Sequence, residues 1–185
     1  FDHEYPERFS KEILDYLSAS SEESSTRNYM ENVPVVLDAE NTLWPINQKD
    51  LFLAGLELES YEEEVYKNLS LFDAISTYGI SPEIQYSLNK CKDALGLKEL
   101  SPISLLRLCE QKKSFTEPVS EMAINYFSNS DFDEDLDIDC LKSIPMFLTI
   151  DGTPISIDGE EIYISAPGFE PIKLETRGDI LILKR

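Results

Sequence analysis

The stretch "LKSIPMFLTIDGTPISIDGEEIYI" (141–164) contains the point where the hydrophobic pattern changes period. Before Pro145 apolar residues recur at helical spacing; after it, apolar and polar residues alternate, which is the period-2 signature of half-buried strands. The pattern runs toward the C-terminal "DILILKR" (179–185) around turns at Asp151-Gly152, Asp158-Gly159 and Gly178-Asp179. Asp-Gly supplies the positive φ that tight hairpin turns require. Residues 146–185 are therefore expected to form a small antiparallel sheet or meander.

Immediately upstream, "SNSDFDEDLDIDCLKSIP" (128–145) places six acidic side chains between Asp131 and Asp139. A calcium loop of the EF-hand type needs Gly at its sixth position and Glu at its twelfth. Counting from Asp131 puts Leu136 and Lys142 there; counting from Asp135 puts Cys140 and Met146 there. Neither register closes around a cation, so no metal site is expected. The stretch fits a short polarised helix: acids favour the positive end of the helix dipole, and Lys142 lies late, where a cation is favoured. Pro145 then stops it.

Further back, three segments with Pro near the start predict helices: "SPEIQYSLNKCKDALG" (81–96), "SPISLLRLCEQKK" (101–113) and "EPVSEMAINYFS" (117–128). Ser81 and Ser101 are natural N-caps with Pro at the first helical position, and Gly96 closes the first of these helices. In "LFLAGLELESYEEEVYKNLSLFDAIS" (51–76) helix spacing begins near Tyr61, and residues 50–58 fit no single element. "VPVVLDAENTLWPI" (33–46) predicts a hairpin turning at Asp38–Asn41. "PERFSKEILDYLSAS" (6–20) predicts an amphipathic helix, followed by the linker-like "SSEESSTRN" (20–28). The expected fold class is α+β: an N-terminal helix, a β-hairpin, several central helices and a small C-terminal antiparallel sheet. Residues 1–32 are expected as helix and mobile linker, and 33–185 as one domain with hairpin 33–46, a helical part 60–142 and a β-rich part 146–185.

With 36 acidic against 16 basic residues, the formal charge of −20 repels nucleic-acid phosphates and favours a basic protein partner. Hydrophobic content of 42% identifies a folded chain rather than a disordered acidic tail. Cys91, Cys109 and Cys140 form no CxxC pair, as expected of reduced thiols in a cytoplasmic protein. No apolar run reaches the roughly 20 residues of a membrane span, so no membrane partner is expected. The chain begins at Phe1 rather than Met, as expected of a piece of a larger protein.

Conventional catalytic chemistry finds few residues to work with. His3 is the single histidine, no Ser–His or Cys–His triad is available without it, and no phosphate-binding glycine motif occurs. No enzymatic activity and no cofactor are expected. The candidate partner-binding surface comprises Glu59, Glu62, Glu63 and Glu64 in "ESYEEEVY" (59–66), together with Asp131, Asp133, Glu134 and Asp135. Trp44, flanked by Leu43 and Pro45, joins them as the aromatic that is either core or an exposed contact element.

Two segments carry a family resemblance. "LKSIPMFLTIDGTPISIDGEEIYI" resembles a motif of the sacsin family, in which a short helix leads through Leu-(Lys)-x-(Leu/Ile)-Pro, an apolar-aromatic pair and a Thr-x-x-Gly turn into a β-hairpin. "VPVVLDAENTLWPI" resembles that family's upstream hairpin, and "PISLLRLCEQKKSFTEPVSEMAINYF" fits its intervening helices. The resemblance covers 33–46 and 101–164. It implies a downstream, non-ATPase part of one repeat of a very large protein, in a family implicated in protein quality control and cytoskeletal filament organisation. The ATPase's nucleotide-binding motifs are absent here, so no catalytic residue carries over.

The expected function is thus a non-enzymatic acidic interaction or scaffold module of a chaperone-associated protein. Its partner would be a basic protein surface or neighbouring domains of the same larger chain. The alternative is a small acidic inhibitor that mimics nucleic acid in the basic groove of a nuclease or DNA-binding protein.

Overall fold

A computed structural model describes residues 5–19, 32–48, 50–130, 138–149, 151–158, 162–164 and 181–183. The fold is α+β, with an N-terminal helix, as the hydrophobic periods predict. The chain divides into two compact units, Phe1–Leu100 and Ser101–Arg185.

The first unit is organised by the apolar run of the predicted hairpin. Strand β1 (Pro34–Leu37) buries Val35, Val36 and Leu37 almost completely and pairs antiparallel with β2 (Leu43–Pro45). Helix α1 (Tyr5–Ala19) packs against β1, where the buried Ser10 hydroxyl donates to the Val35 carbonyl at 2.6 Å. Its apolar face buries Leu14 and Leu17, the spacing read from the sequence.

Beyond the hairpin, β3 (Leu51–Phe52) pairs in parallel with β4 (Ile75–Ser76). Between them lie α2 (Ser60–Lys67) and a 3-10 turn, Leu69–Phe72. Helix α3 (Pro82–Leu95) buries Ile84, Leu88, Cys91 and Leu95, a stripe at three- and four-residue intervals that joins Leu14, the β1 residues, Leu51 and Leu53 in one core. Gly96 ends α3 in the left-handed conformation at φ 64°, with its N–H donating to Asp93 and that of Leu97 donating to Lys92.

Of residues 50–58, which fit no single element in the sequence, 51–52 form β3, and 53–55 are held by the Leu53 N–H donating to the Lys98 carbonyl at 2.9 Å and otherwise by side chains. Tyr66 donates to the Leu53 carbonyl at 3.0 Å, Thr77 accepts from the Ala54 N–H at 2.9 Å, and the Gln85 amide donates to Ala54 and Gly55 carbonyls at 3.2 and 2.8 Å. Buried backbone groups must find partners. Here three residues distant in sequence provide them.

In the second unit, α4 (Pro102–Gln111) packs against α5 (Glu117–Asn129), and α5 also packs against β5 (Phe147–Leu148). Ser101 caps α4 as predicted, accepting from the Ser104 N–H at 3.2 Å. The corresponding prediction for Ser81 fails in part: it precedes α3 at the N-cap position, but its buried hydroxyl has no hydrogen-bond partner among the described residues. Residue type and position locate a helix start; the χ1 rotamer that completes a cap is set by local packing.

Helix α6 (Ile138–Ser143) occupies the end of the acidic stretch, and Lys142 pairs with Asp139 at 2.7 Å. Strand β5 then turns through Asp151-Gly152 into β6 (Pro154–Ile155), antiparallel as predicted, with Gly152 at φ 81°. The final pair corrects the sequence expectation. β7 (Ile162–Ile164) and β8 (Leu181–Leu183) run parallel rather than as consecutive antiparallel strands. Alternation has the same period in either arrangement, whereas a parallel pair needs a crossover of about a dozen residues or more. The 16 residues 165–180 are long enough for that.

Candidate functional site

In the first unit a surface cleft of about 240 Å³ opens beside the hairpin tip. Asp38, Glu40 and Trp44 of the hairpin form one wall, and Lys67, Ser70 and Tyr78 form the other. Ala74, Ile75 and Ser76 complete the lining along β4.

Asp38 builds the hairpin wall. One carboxylate oxygen accepts the Glu40 N–H at 2.9 Å and the Thr42 N–H at 2.8 Å, the local bonding for which Asp is selected in turns. The other oxygen accepts the Trp44 indole N–H at 2.6 Å. Asn41 takes φ 60°, which its short polar side chain tolerates. One side chain therefore closes the turn and fixes the ring six residues later. Trp44 is half-buried: its inner side packs on the core of the first unit, and the residue also lines the cleft. It is therefore partly core and partly cleft surface.

Gly79 brings the walls together. Its φ of 87° is open to glycine, and a Cβ there would meet the Ala39 side chain at 3.3 Å. The turn holding Tyr78 can thus approach the hairpin tip closely. Ser76 stabilises that turn by accepting the Tyr78 N–H at 2.9 Å.

Lys67 and Tyr78 are the polar groups at the centre of the opposite wall, and Glu63, behind them, binds both. Lys67 pairs with Glu63 at 3.0 Å, Tyr78 donates to the same carboxylate oxygen at 3.3 Å, and the ammonium lies 5.3 Å from the Tyr78 ring centre. The hydrogen bond from Lys67, then its charge, holds the Glu63 carboxyl below its ordinary pKa; the hydrogen bond to Glu63 raises that of Lys67. Glu63 thus offsets Lys67, the one cation among the described residues that line the cleft. Glu40 stands exposed, in no ion pair among the described residues.

The predicted acidic surface separates into different jobs. Glu62 accepts the Glu59 N–H at 2.8 Å and so helps start α2, Glu59 and Glu64 are exposed, and Glu63 belongs to the cleft network. Asp131, Asp133, Glu134 and Asp135 lie outside the described residues. Asp38, Lys67 and Tyr78 are site residues that sequence reasoning missed. The Glu63–Lys67 spacing is a readable helical ion pair, but nothing in the sequence links it to Tyr78 or to the hairpin.

Among the described residues, no group of three or more His, Cys, Asp or Glu side chains is arranged to hold a metal ion. Cys91 and Cys109 are buried free thiols, and the half-buried Cys140 donates to Glu110 at 2.7 Å. No described helix is long and apolar enough to cross a membrane. No protein-family model, no curated protein and no solved structure matches the chain.

Proposed function

We propose that this chain is a non-enzymatic interaction module whose cleft, walled by Trp44 and Tyr78, receives a segment of a protein partner. The observation that carries this is the pre-built wall. Three hydrogen bonds to Asp38 hold the turn and the indole, so the contact surface needs little ordering on binding. Aromatic anchors beside hydrogen-bonded charges are what protein interfaces use most intensively. The formal charge of −20 supports a basic partner, which long-range attraction would steer to this surface. The sacsin-family resemblance of 33–46 and 101–164 supports a place for the chain as a scaffold segment of a larger chaperone-associated protein.

The test is a quantitative pull-down with the full chain, comparing wild type, a Trp44→Ala, Glu40→Gln double variant, and Glu57→Gln, an exposed acid outside the cleft. A partner held by wild type and Glu57→Gln but lost with the double variant supports the proposal. Equal retention by all three, with the double variant shown to be folded, sinks it.

A further inference from the structure

We infer that the occupant of the cleft is a single arginine side chain presented by the basic partner. This rests on the interaction reading above and adds the chemistry that is recognised. Size is the first constraint. At about 240 Å³ the cleft lies below the roughly 300–1,000 Å³ usual for cofactor and drug-sized ligands, and one long side chain is a better match.

Charge is the second. Glu63 offsets Lys67, which leaves Asp38 and Glu40 as two negative charges with no counter-cation among the described residues. An anionic guest would meet both, so the guest is cationic. Asp38 has about four acceptor positions, and its three hydrogen bonds among the described residues occupy three of them. The carboxylate of Glu40 offers more. A donor fork that reaches both carboxylates therefore has acceptors waiting.

The aromatic wall then separates arginine from lysine. A guanidinium is planar, weakly hydrated and stacks on aromatic faces while donating in its own plane; an ammonium is compact and strongly hydrated. The cleft already shows a cation beside an aromatic ring, the Lys67 ammonium 5.3 Å from the Tyr78 ring centre. Trp44, the stronger cation–π partner by residue type, lines the opposite wall, with its N–H committed to Asp38.

Trp44 is the single tryptophan of the chain, so its emission reports on the cleft directly. The full chain is titrated with the peptide acetyl-Gly-Arg-Gly-Arg-Gly-amide and with its citrulline and lysine counterparts. Citrulline keeps the shape of arginine and removes the charge. The expected result is a saturable emission change with arginine, a weaker one with lysine and none with citrulline. Glu40→Gln weakens the arginine response about fivefold, the upper range for one exposed charge pair. Glu57→Gln leaves it unchanged. Equal responses to arginine and citrulline, tighter binding of lysine, or equal losses in Glu40→Gln and Glu57→Gln would each overturn the assignment. If the pull-down still yields a partner that depends on the cleft, only the arginine assignment falls. If neither peptide nor partner depends on it, both fall.

Discussion

Replacing Asp38 by Asn isolates the bond that ties the hairpin turn to Trp44. The Asn carbonyl oxygen can keep the Glu40 and Thr42 N–H groups, but its amide then presents N–H donors to the indole N–H. Flipping the amide satisfies the indole and strands the turn. Either way one interaction is lost while size is conserved. A hydrogen bond to a charged group contributes about 1.5–3 kcal/mol when buried, and water can partly replace it at the half-buried Asp38, so a loss of about 1–1.5 kcal/mol is expected. Asp38→Ala removes both carboxylate oxygens and all three hydrogen bonds, and costs about 2–3 kcal/mol on the same scale. The assay is chemical denaturation followed by circular dichroism, with a double-mutant cycle through Trp44→Phe, which removes the indole N–H and keeps an aromatic ring. The coupling energy between positions 38 and 44 should be about 1 kcal/mol, and Asp38→Asn should shift Trp44 emission to the red as the ring gains solvent. A coupling energy below about 0.3 kcal/mol, the usual error of additivity, would show that Asp38 does not position the indole.

Tyr66→Phe keeps the buried ring and deletes the hydroxyl that donates to the Leu53 carbonyl at 3.0 Å and accepts the Leu100 N–H at 2.8 Å. Leaving two groups unpaired costs about 2 kcal/mol, and amide exchange at Leu100 should accelerate; unchanged exchange there would contradict the role assigned to the hydroxyl. Burial pushes the Cys109 thiol up to about 12 and also raises Cys91, so a thiol reagent at neutral pH should label only Cys140 rapidly, and Cys140→Ser should abolish that phase. The same burial sets a sign for pH dependence. The folded chain keeps the Cys109 proton to about pH 12, whereas the unfolded chain loses it from about pH 8.5, so the stability is present below that value and declines as pH rises. Comparing denaturation at pH 9 and 10, Cys109→Ala should flatten the decline by about 1 kcal/mol; an unaltered slope would rule the thiol out as its source.

Much of the local structure was legible because local chemistry decides it. Ser-Pro before apolar residues at helical spacing marked the starts of α3 and α4, Gly96 marked the end of α3, and Asp151-Gly152 marked the β5–β6 turn. The hairpin at 33–46 followed from an apolar run, an Asp–Asn turn and an apolar return. What was missed has non-local causes. Strand direction in β3–β4 and β7–β8 depends on where the chain returns after a long connection, and the alternation of side chains is blind to it. Within the open stretch 50–58, residues 53–55 carry no periodic signal, and side chains at 66, 77 and 85 satisfy much of their backbone.

The candidate site divides along the same line. Trp44 and Glu63 were singled out as residue types suited to contact, and Asp38 was recognised only as a turn former. By itself the sequence determined the α+β class, most helix and turn boundaries, and the formal charge of −20. Only the tertiary structure decided that Glu63, Lys67 and Tyr78 form one network, and that Lys67 and Tyr78 line a cleft with Asp38, Glu40 and Trp44. Propensities and patterns act over a few residues, whereas a binding wall is made by segments tens of residues apart. Here the close approach allowed by Gly79 beside Ala39 brings those segments together.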